Sequence, residues 1–171
     1  MVSGIAQKTY TGKPITQNIT VTLDGEKVDP SNYTVSYSNN TNAGTAQIRV
    51  CGKGDYKGQI TKTFTIAKAS QTMTVKAGTK VLKAKKLKRK SQTVKGVFKV
   101  SNAKGTVTYA PVKYANKKAK KALKLNAKNG TIKVKKGTKK GKYKMTVAVT
   151  AKGDSNYKSA TRRVTVTVKV K

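Results

Sequence analysis

Apolar and polar residues alternate strictly over long parts of this chain, and this alternation predicts β-strands. In residues 164–170 every second residue is valine, and the residues between them are threonine or lysine. Residues 143–149 alternate in a similar way. A period of two places the apolar side chains on one face of a strand and the polar ones on the other. Only residues 115–122, which are rich in Ala and Lys, favour a helical turn. We therefore predict an all-β fold.

One kind of turn occurs twice and indicates two domains. Clusters of Gly and Asp lie at residues 52–58 and at residues 151–158, where Asn is also present. Gly tolerates positive φ, and Asp or Asn can bond its own backbone, so both clusters predict turns. Each turn lies between two alternating runs and predicts the closing hairpin of a β-domain. Two closing hairpins predict two β-sandwich domains, at residues 1–69 and 70–171.

Turn signals elsewhere predict the remaining elements. The Asp-Gly pair at 24–25 and the Asn-Gly pair at 129–130 are both strong signals for tight hairpins. Residues 15–23 predict a strand with its aliphatic residues, Leu23 included, on one face. Other strands are expected at residues 5–10, 33–37, 93–100 and 131–134.

Four segments of the first domain, at residues 10–15, 21–25, 33–45 and 52–58, carry a resemblance to a known family. In order and spacing they resemble the immunoglobulin-like repeats of Gram-positive bacterial surface proteins, and the resemblance covers residues 5–67. Residues 126–134, 136–143 and 151–157 look like a second repeat of the same exported proteins, related to cadherin-like and immunoglobulin-like modules.

The resemblance implies two tandem immunoglobulin-like β-sandwich domains in a stalk or adhesion protein. In such proteins repeated modules stand between a functional head and a wall anchor. Residues 1–4 form no secretion leader, and the chain contains no wall-sorting motif. The resemblance implies export to the bacterial cell surface. Because these residues supply neither leader nor anchor, we expect the chain to be part of a longer exported protein, whose neighbouring domains would be partners.

The net charge changes this picture more than any other feature. The chain has 39 basic residues against 5 acidic ones, a formal charge of +34, and no His. Residues 70–171 hold 31 basic residues and one acidic residue, Asp154, whereas residues 1–69 carry a net charge of only +4. Thirty surplus cations in one domain attract polyanions and anionic surfaces.

Dense lysine runs supply the candidate binding residues. We predict that a polyanion, such as teichoic acid, acidic polysaccharide, glycosaminoglycan, anionic lipid or nucleic acid, contacts the basic residues of these runs. They are Lys83, Lys85, Lys86, Lys88, Arg89, Lys90, Lys117, Lys118, Lys120, Lys121, Lys133, Lys135, Lys136, Lys139 and Lys140.

Two other interpretations of the lysines stay open. They could serve only to keep a thin, edge-rich β-protein soluble and to block pairing between exposed edges. Alternatively, the chain could be a dedicated nucleic-acid-binding protein. Few aromatic residues, only four Arg and no recognised reading motif argue against the second of these.

Catalysis is not expected. Without His the chain has no Ser-His-Asp triad, no Cys-His pair and no imidazole metal ligand. Asp55 and Asp154 each lie in a closing turn, about 100 residues apart, and are interpreted as turn residues rather than calcium ligands. We therefore predict a non-enzymatic module with no cofactor, metal or small-molecule substrate.

Overall fold

The computed structural model describes residues 1–171 and contains two compact units. The first unit comprises Met1–Ala69 with Ser155–Tyr157, and the second comprises Ser70–Asp154 with Lys158–Lys171. Each unit contains more than one sheet, built mainly from antiparallel strand pairs, around its own apolar core. The prediction of an all-β chain with two immunoglobulin-like β-sandwiches in tandem along the sequence is confirmed.

Seven strands form the two sheets of the first unit. They are β1 (Val2–Ser3), β2 (Lys8–Thr9), β3 (Thr20–Leu23), β4 (Glu26–Lys27), β5 (Tyr33–Ser38), β6 (Gly44–Gly52) and β7 (Gln59–Ala67), with a 3-10 turn at Pro30–Asn32. One sheet has the order β1-β3-β4 and the other β2-β7-β6-β5. Alternate residues of β6 and β7 point inward, so Ile48, Phe64 and Ile66 are buried with Val21 of the smaller sheet.

Nine strands and two short helices form the second unit. They are β8 (Thr74–Ala77), β9 (Thr79–Leu82), α1 (Ala84–Arg89), β10 (Gln92–Val94), β11 (Phe98–Ser101), β12 (Val107–Tyr114), α2 (Lys117–Ala122), β13 (Leu123–Leu125), β14 (Ile132–Val134), β15 (Gly141–Ala151) and β16 (Ala160–Val170). The sheets have the orders β12-β15-β16-β9, β10-β14-β13 and β11-β8. Val147 and Val166 of the largest sheet pack in one core with Ile132 and Val134 of the next.

The opening segment of each unit is divided between two sheets. In the first unit β1 pairs antiparallel with β3, whereas β2 pairs parallel with β7, the last strand. In the second unit β8 pairs antiparallel with β11, and β9 pairs parallel with β16, again the last strand. Strands that switch sheets form the corners of a sandwich. Both units share this feature, although they differ in charge and in the number of strands and sheets.

Both predicted closing hairpins are present. Strands β6 and β7 pair antiparallel on either side of the turn at 53–58, and β15 and β16 pair antiparallel on either side of the turn at 152–159. The predicted turn at Asp24 and Gly25 joins β3 to β4, and both residues have positive φ, 50° and 90°. The structure also confirms a helical turn within residues 115–122, where α2 lies.

Several predicted strands differ from the structure. Residues 93–100 form two strands, β10 and β11, in different sheets, because the chain turns at Gly96 with φ 62°. The strand predicted at 15–23 is confined to Thr20–Leu23, and Leu23 is 54% exposed rather than on the buried face. The strand predicted at 5–10 is only Lys8–Thr9. Strands β13 and β14 do form a hairpin, but through the longer loop 126–131.

We expect Gly105→Ala to destabilise the second unit more than Gly96→Ala does. Both glycines have positive φ, 75° and 62°, so each substitution carries the strain of a side chain in the left-handed region, about 1 kcal/mol. A Cβ at Gly105 would also lie 2.0 Å from the carbonyl oxygen of Gly153, whereas Gly96 has no atom within 4 Å. Urea unfolding should show a loss of about 1 kcal/mol for Gly96→Ala and of at least about 2 kcal/mol for Gly105→Ala. Equal losses would contradict this close backbone contact.

Candidate polyanion-binding surface

Helix α2 presents four lysines because its only buried residues are alanines. The side chain of Asn116 accepts a hydrogen bond from the backbone N–H of Ala119 at 2.9 Å and so caps the first turn. Ala119 and Ala122, three residues apart, lie on the same face and are buried in the core. The lysines between and before them, at 117, 118, 120 and 121, are exposed. All four lysines of the helix therefore face solvent rather than the core.

Helix α1 is anchored by one residue and was not predicted from the sequence. Leu87 is fully buried, whereas the basic residues at 85, 86, 88 and 89 are exposed. The backbone N–H of Ala84 donates to the carbonyl of Lys171 at 2.6 Å, which ties the start of the helix to the end of β16. No side chain caps this helix. Burial of Leu87 and this backbone hydrogen bond both help to hold the helix in place.

The loop 135–140 is held to several elements at once. The backbone N–H of Gly137 donates to the carbonyl of Leu87 in α1 at 2.9 Å, and that of Lys135 donates to the carbonyl of Ala122 in α2 at 2.9 Å. The hydroxyl of Tyr143 donates to the carbonyl of Lys139 at 2.8 Å. These bonds connect the loop to both helices and to β15. They hold its lysines in place although the side chains themselves are exposed.

Three hollows lie along these elements. The α1 hollow, about 720 Å³, is lined by Lys83, Ala84, Lys85, Lys88, Arg89, Lys140 and Lys171. The loop hollow, about 890 Å³, is lined by Lys118, Lys121, Ala122, Lys135, Lys136, Gly137, Thr138, Lys139, Lys140 and Tyr143. The Tyr114 hollow, about 660 Å³, is lined by Ser91, Pro111, Tyr114, Lys120, Lys121, Ala122, Leu123, Lys124, Leu125, Lys133 and Lys135.

Shared lysines make the three hollows one continuous basic surface. Lys140 lines both the α1 hollow and the loop hollow. Lys121 and Lys135 line both the loop hollow and the Tyr114 hollow. No acidic residue lines any of the three, and Asp154, the one acid of residues 70–171, lies at the closing turn. The surface therefore offers cationic side chains with no acidic side chain among them.

Most of the predicted binding residues belong to this basic surface. Lys86, Lys90 and Lys117 are exposed but line none of the hollows. Sequence reasoning missed Lys124 and Lys171. Lys124 lies in β13, at the end of the lysine-rich stretch 117–124, and its place in that stretch was the signal that could have identified it. Lys171 is brought to α1 only by the parallel pairing of β9 with β16, for which the local sequence carries no signal.

Three pairs of lysines face each other directly across strands. They are Lys76 with Lys99, Lys124 with Lys133, and Lys142 with Lys169. Directly opposed like charges destabilise a sheet. The second pair lies in the Tyr114 hollow, where a bound anion would relieve the repulsion between its two members.

The carboxyl of Asp29, in the first unit, has a structural role. The side chain and the backbone N–H of Ser31 both donate to it, and these hydrogen bonds lower the pKa of the Asp29 carboxyl. Asp29 thereby caps the 3-10 turn at Pro30–Asn32. No group of three or more His, Cys, Asp or Glu residues is placed to hold a metal ion. Neither helix has the length and apolar character that crossing a membrane requires.

Comparisons with known proteins give structural similarity alone. No family model matches the chain, and no curated protein matches it in sequence. The mouse clustered PcdhgC3 EC1-3 structure is 10% identical with a TM-score of 0.45, covering 99% of this chain and 66% of that one. The Protocadherin GammaB4 extracellular domain is 12% identical with a TM-score of 0.48, covering 99% of this chain and 32% of that one.

A third similar structure is Human Protocadherin-24 EC1-2, which is 11% identical with a TM-score of 0.44. That match covers 98% of this chain and 95% of the other. This chain therefore spans less than two thirds of the first two structures. With TM-scores below 0.5, these similarities assign neither ancestry nor function to it.

We expect Lys124→Gln to raise the stability of the second unit at low salt, because it removes one member of an opposed lysine pair. The gain should be about 0.5 kcal/mol in urea unfolding at 10 mM NaCl and should fade at about 500 mM NaCl, where charges are screened. Lys113→Gln is the matched control, since Lys113 lies on an edge strand opposite Thr146. An equal gain in both variants would show that only net charge matters.

Proposed function

We propose that this chain is a non-catalytic module of a bacterial cell-surface protein and that its second unit holds polyanionic polymers through the basic surface. One observation carries the proposal. Lysines from α1, α2, β14 and the loop 135–140, which are far apart in the sequence, line three connected hollows that contain no acidic side chain. A stretched polymer with repeated negative charges can contact all three hollows at once.

Diffuse electrostatic binding fits the residue types. Lys carries a compact charge on a flexible stem, whereas Arg has the planar fork that suits bidentate recognition. Among the lining residues only Arg89 is an arginine. Repeated phosphate, sulfate or carboxylate groups are therefore better partners than the edges of particular bases. This supports wall polymers and acidic glycans over sequence-specific nucleic acid.

The extracellular setting and the stalk or adhesion role rest on the resemblance of residues 5–67 to repeats of Gram-positive surface proteins. Two β-sandwich units in tandem along the chain suit such a role, because a series of rigid modules extends a protein away from the surface that bears it. In that setting cell-wall polymers and the glycans of neighbouring cells are the available polyanions.

Binding should be strong at low salt and should depend on the basic surface rather than on total charge. We expect the protein to be retained on heparin, teichoic acid and double-stranded DNA, and to be released from all three steeply as NaCl rises. The triple variant Lys121→Gln, Lys135→Gln and Lys140→Gln removes the lysines that the hollows share. Its elution from heparin should move to clearly lower salt.

A matched triple variant separates a surface from a mere excess of charge. Lys76→Gln, Lys95→Gln and Lys128→Gln removes the same charge at exposed positions outside the hollows. It should elute close to the unmodified protein. If both triple variants shift equally, the lysines act only through net charge. Preference for one DNA sequence over another would favour a dedicated nucleic-acid-binding protein instead.

A further inference from the structure

The Tyr114 hollow differs in chemistry from the rest of the basic surface. Its lining combines five lysines with an aromatic ring, a proline and leucine side chains, whereas the α1 hollow has Ala84 as its one apolar lining residue. The tyrosine of the loop hollow, Tyr143, is only 8% exposed, and its hydroxyl is bonded to the chain. In the Tyr114 hollow, by contrast, Pro111 is exposed and both Tyr114 and Leu125 are half-buried.

Pro111, Tyr114 and the leucines form the apolar floor of this hollow. Strand β12, which contributes Pro111 and Tyr114, is irregular at this point. The pairing of β12 with β15 shifts register between Pro111 and Lys113, so Val112 is an extra residue on the edge of the sheet. Val112 itself is 49% exposed and does not line the hollow. Bulges of this kind re-aim side chains and are common beside functional sites. Proline is tolerated here because it lies on an edge strand.

Lysines surround the apolar floor from three elements. Lys120 and Lys121 belong to α2, Lys124 to β13, and Lys133 to β14, where it faces Lys124 across the strands. A hollow that combines apolar side chains with a few polar groups is typical of ligand recognition. A linear chain of phosphates could pair with the lysines, but it has no apolar surface that could pack against the apolar floor.

We propose that the Tyr114 hollow binds a sugar unit of an acidic polysaccharide. The apolar C–H face of a pyranose ring would lie against Tyr114 and Pro111, and its carboxylate or sulfate groups would pair with Lys120, Lys124 and Lys133. This inference rests on the proposed polyanion binding and names its ligand class. A single half-buried ring suits one sugar better than a strand of bases, which is bound by several stacking residues.

The test compares ring-bearing and ring-free polyanions. Binding of polygalacturonate, heparin, polyphosphate and single-stranded DNA is measured at one salt concentration by titration calorimetry. Tyr114→Ala should weaken binding to polygalacturonate and heparin by roughly fivefold, the size of one aromatic contact, and leave polyphosphate binding unchanged. Tyr114→Phe should bind all four polymers as the unmodified protein does, because it keeps the ring.

Polyphosphate binding also reports whether the surface is intact, since Tyr114 packs against the core. If Tyr114→Ala loses its unfolding transition, Tyr114→Leu replaces it, because leucine preserves apolar volume without the ring. Unchanged glycan binding in the ring-free variant would overturn the inference while leaving polyanion binding in place. A selective loss of single-stranded DNA binding would assign the hollow to bases instead. Failure of the unmodified protein to bind any polymer would overturn the proposed function itself.

Discussion

Burial of a thin aliphatic layer is the constraint on which the second unit depends. Met145, Val147, Val149, Val166 and Val168 of the closing hairpin are fully buried. They come from alternate positions of two long antiparallel strands, so the same strands must carry polar residues on their other face. Only 36% of the chain is hydrophobic. Few apolar residues are therefore left over, and lysine occupies the positions that face solvent.

Because the core needs so few apolar residues, many cationic residues can lie in one region without disrupting it. Helix α1 needs only Leu87 inside, and α2 needs only Ala119 and Ala122, so the rest of each helix is free to carry charge. Repulsion among those charges opposes folding at low ionic strength. Any polyanion that binds the folded unit would reduce this repulsion and stabilise the fold by the same interaction. The proposed binding would therefore be linked to the stability of the second unit.

Local patterns predicted much of the fold because they act over a few residues. The valine alternation of residues 164–170 identified the inner face of β16, and the turn at Asp24 and Gly25 identified the β3–β4 hairpin. The pattern failed where a single glycine redirected the chain. The pattern of residues 93–100 predicts one strand, but the chain turns at Gly96, and β10 and β11 lie in different sheets. Helix α1 was missed because one buried leucine gives no periodic signal.

The sequence by itself determined that the chain is all-β, that it closes two hairpins and that nearly all surplus charge lies in residues 70–171. Strand periodicity, turn residues and composition are properties of neighbouring residues, so no long-range contact is needed to read them. Only the tertiary structure decided which lysines share a surface. Lys140 lies near α1 because backbone hydrogen bonds hold the loop 135–140 to that helix. Lys171 lies there because β16 pairs parallel with β9, which is distant in the sequence. The apolar floor at Tyr114 likewise needs β12, α2 and β13 in contact, which depends on packing between distant segments.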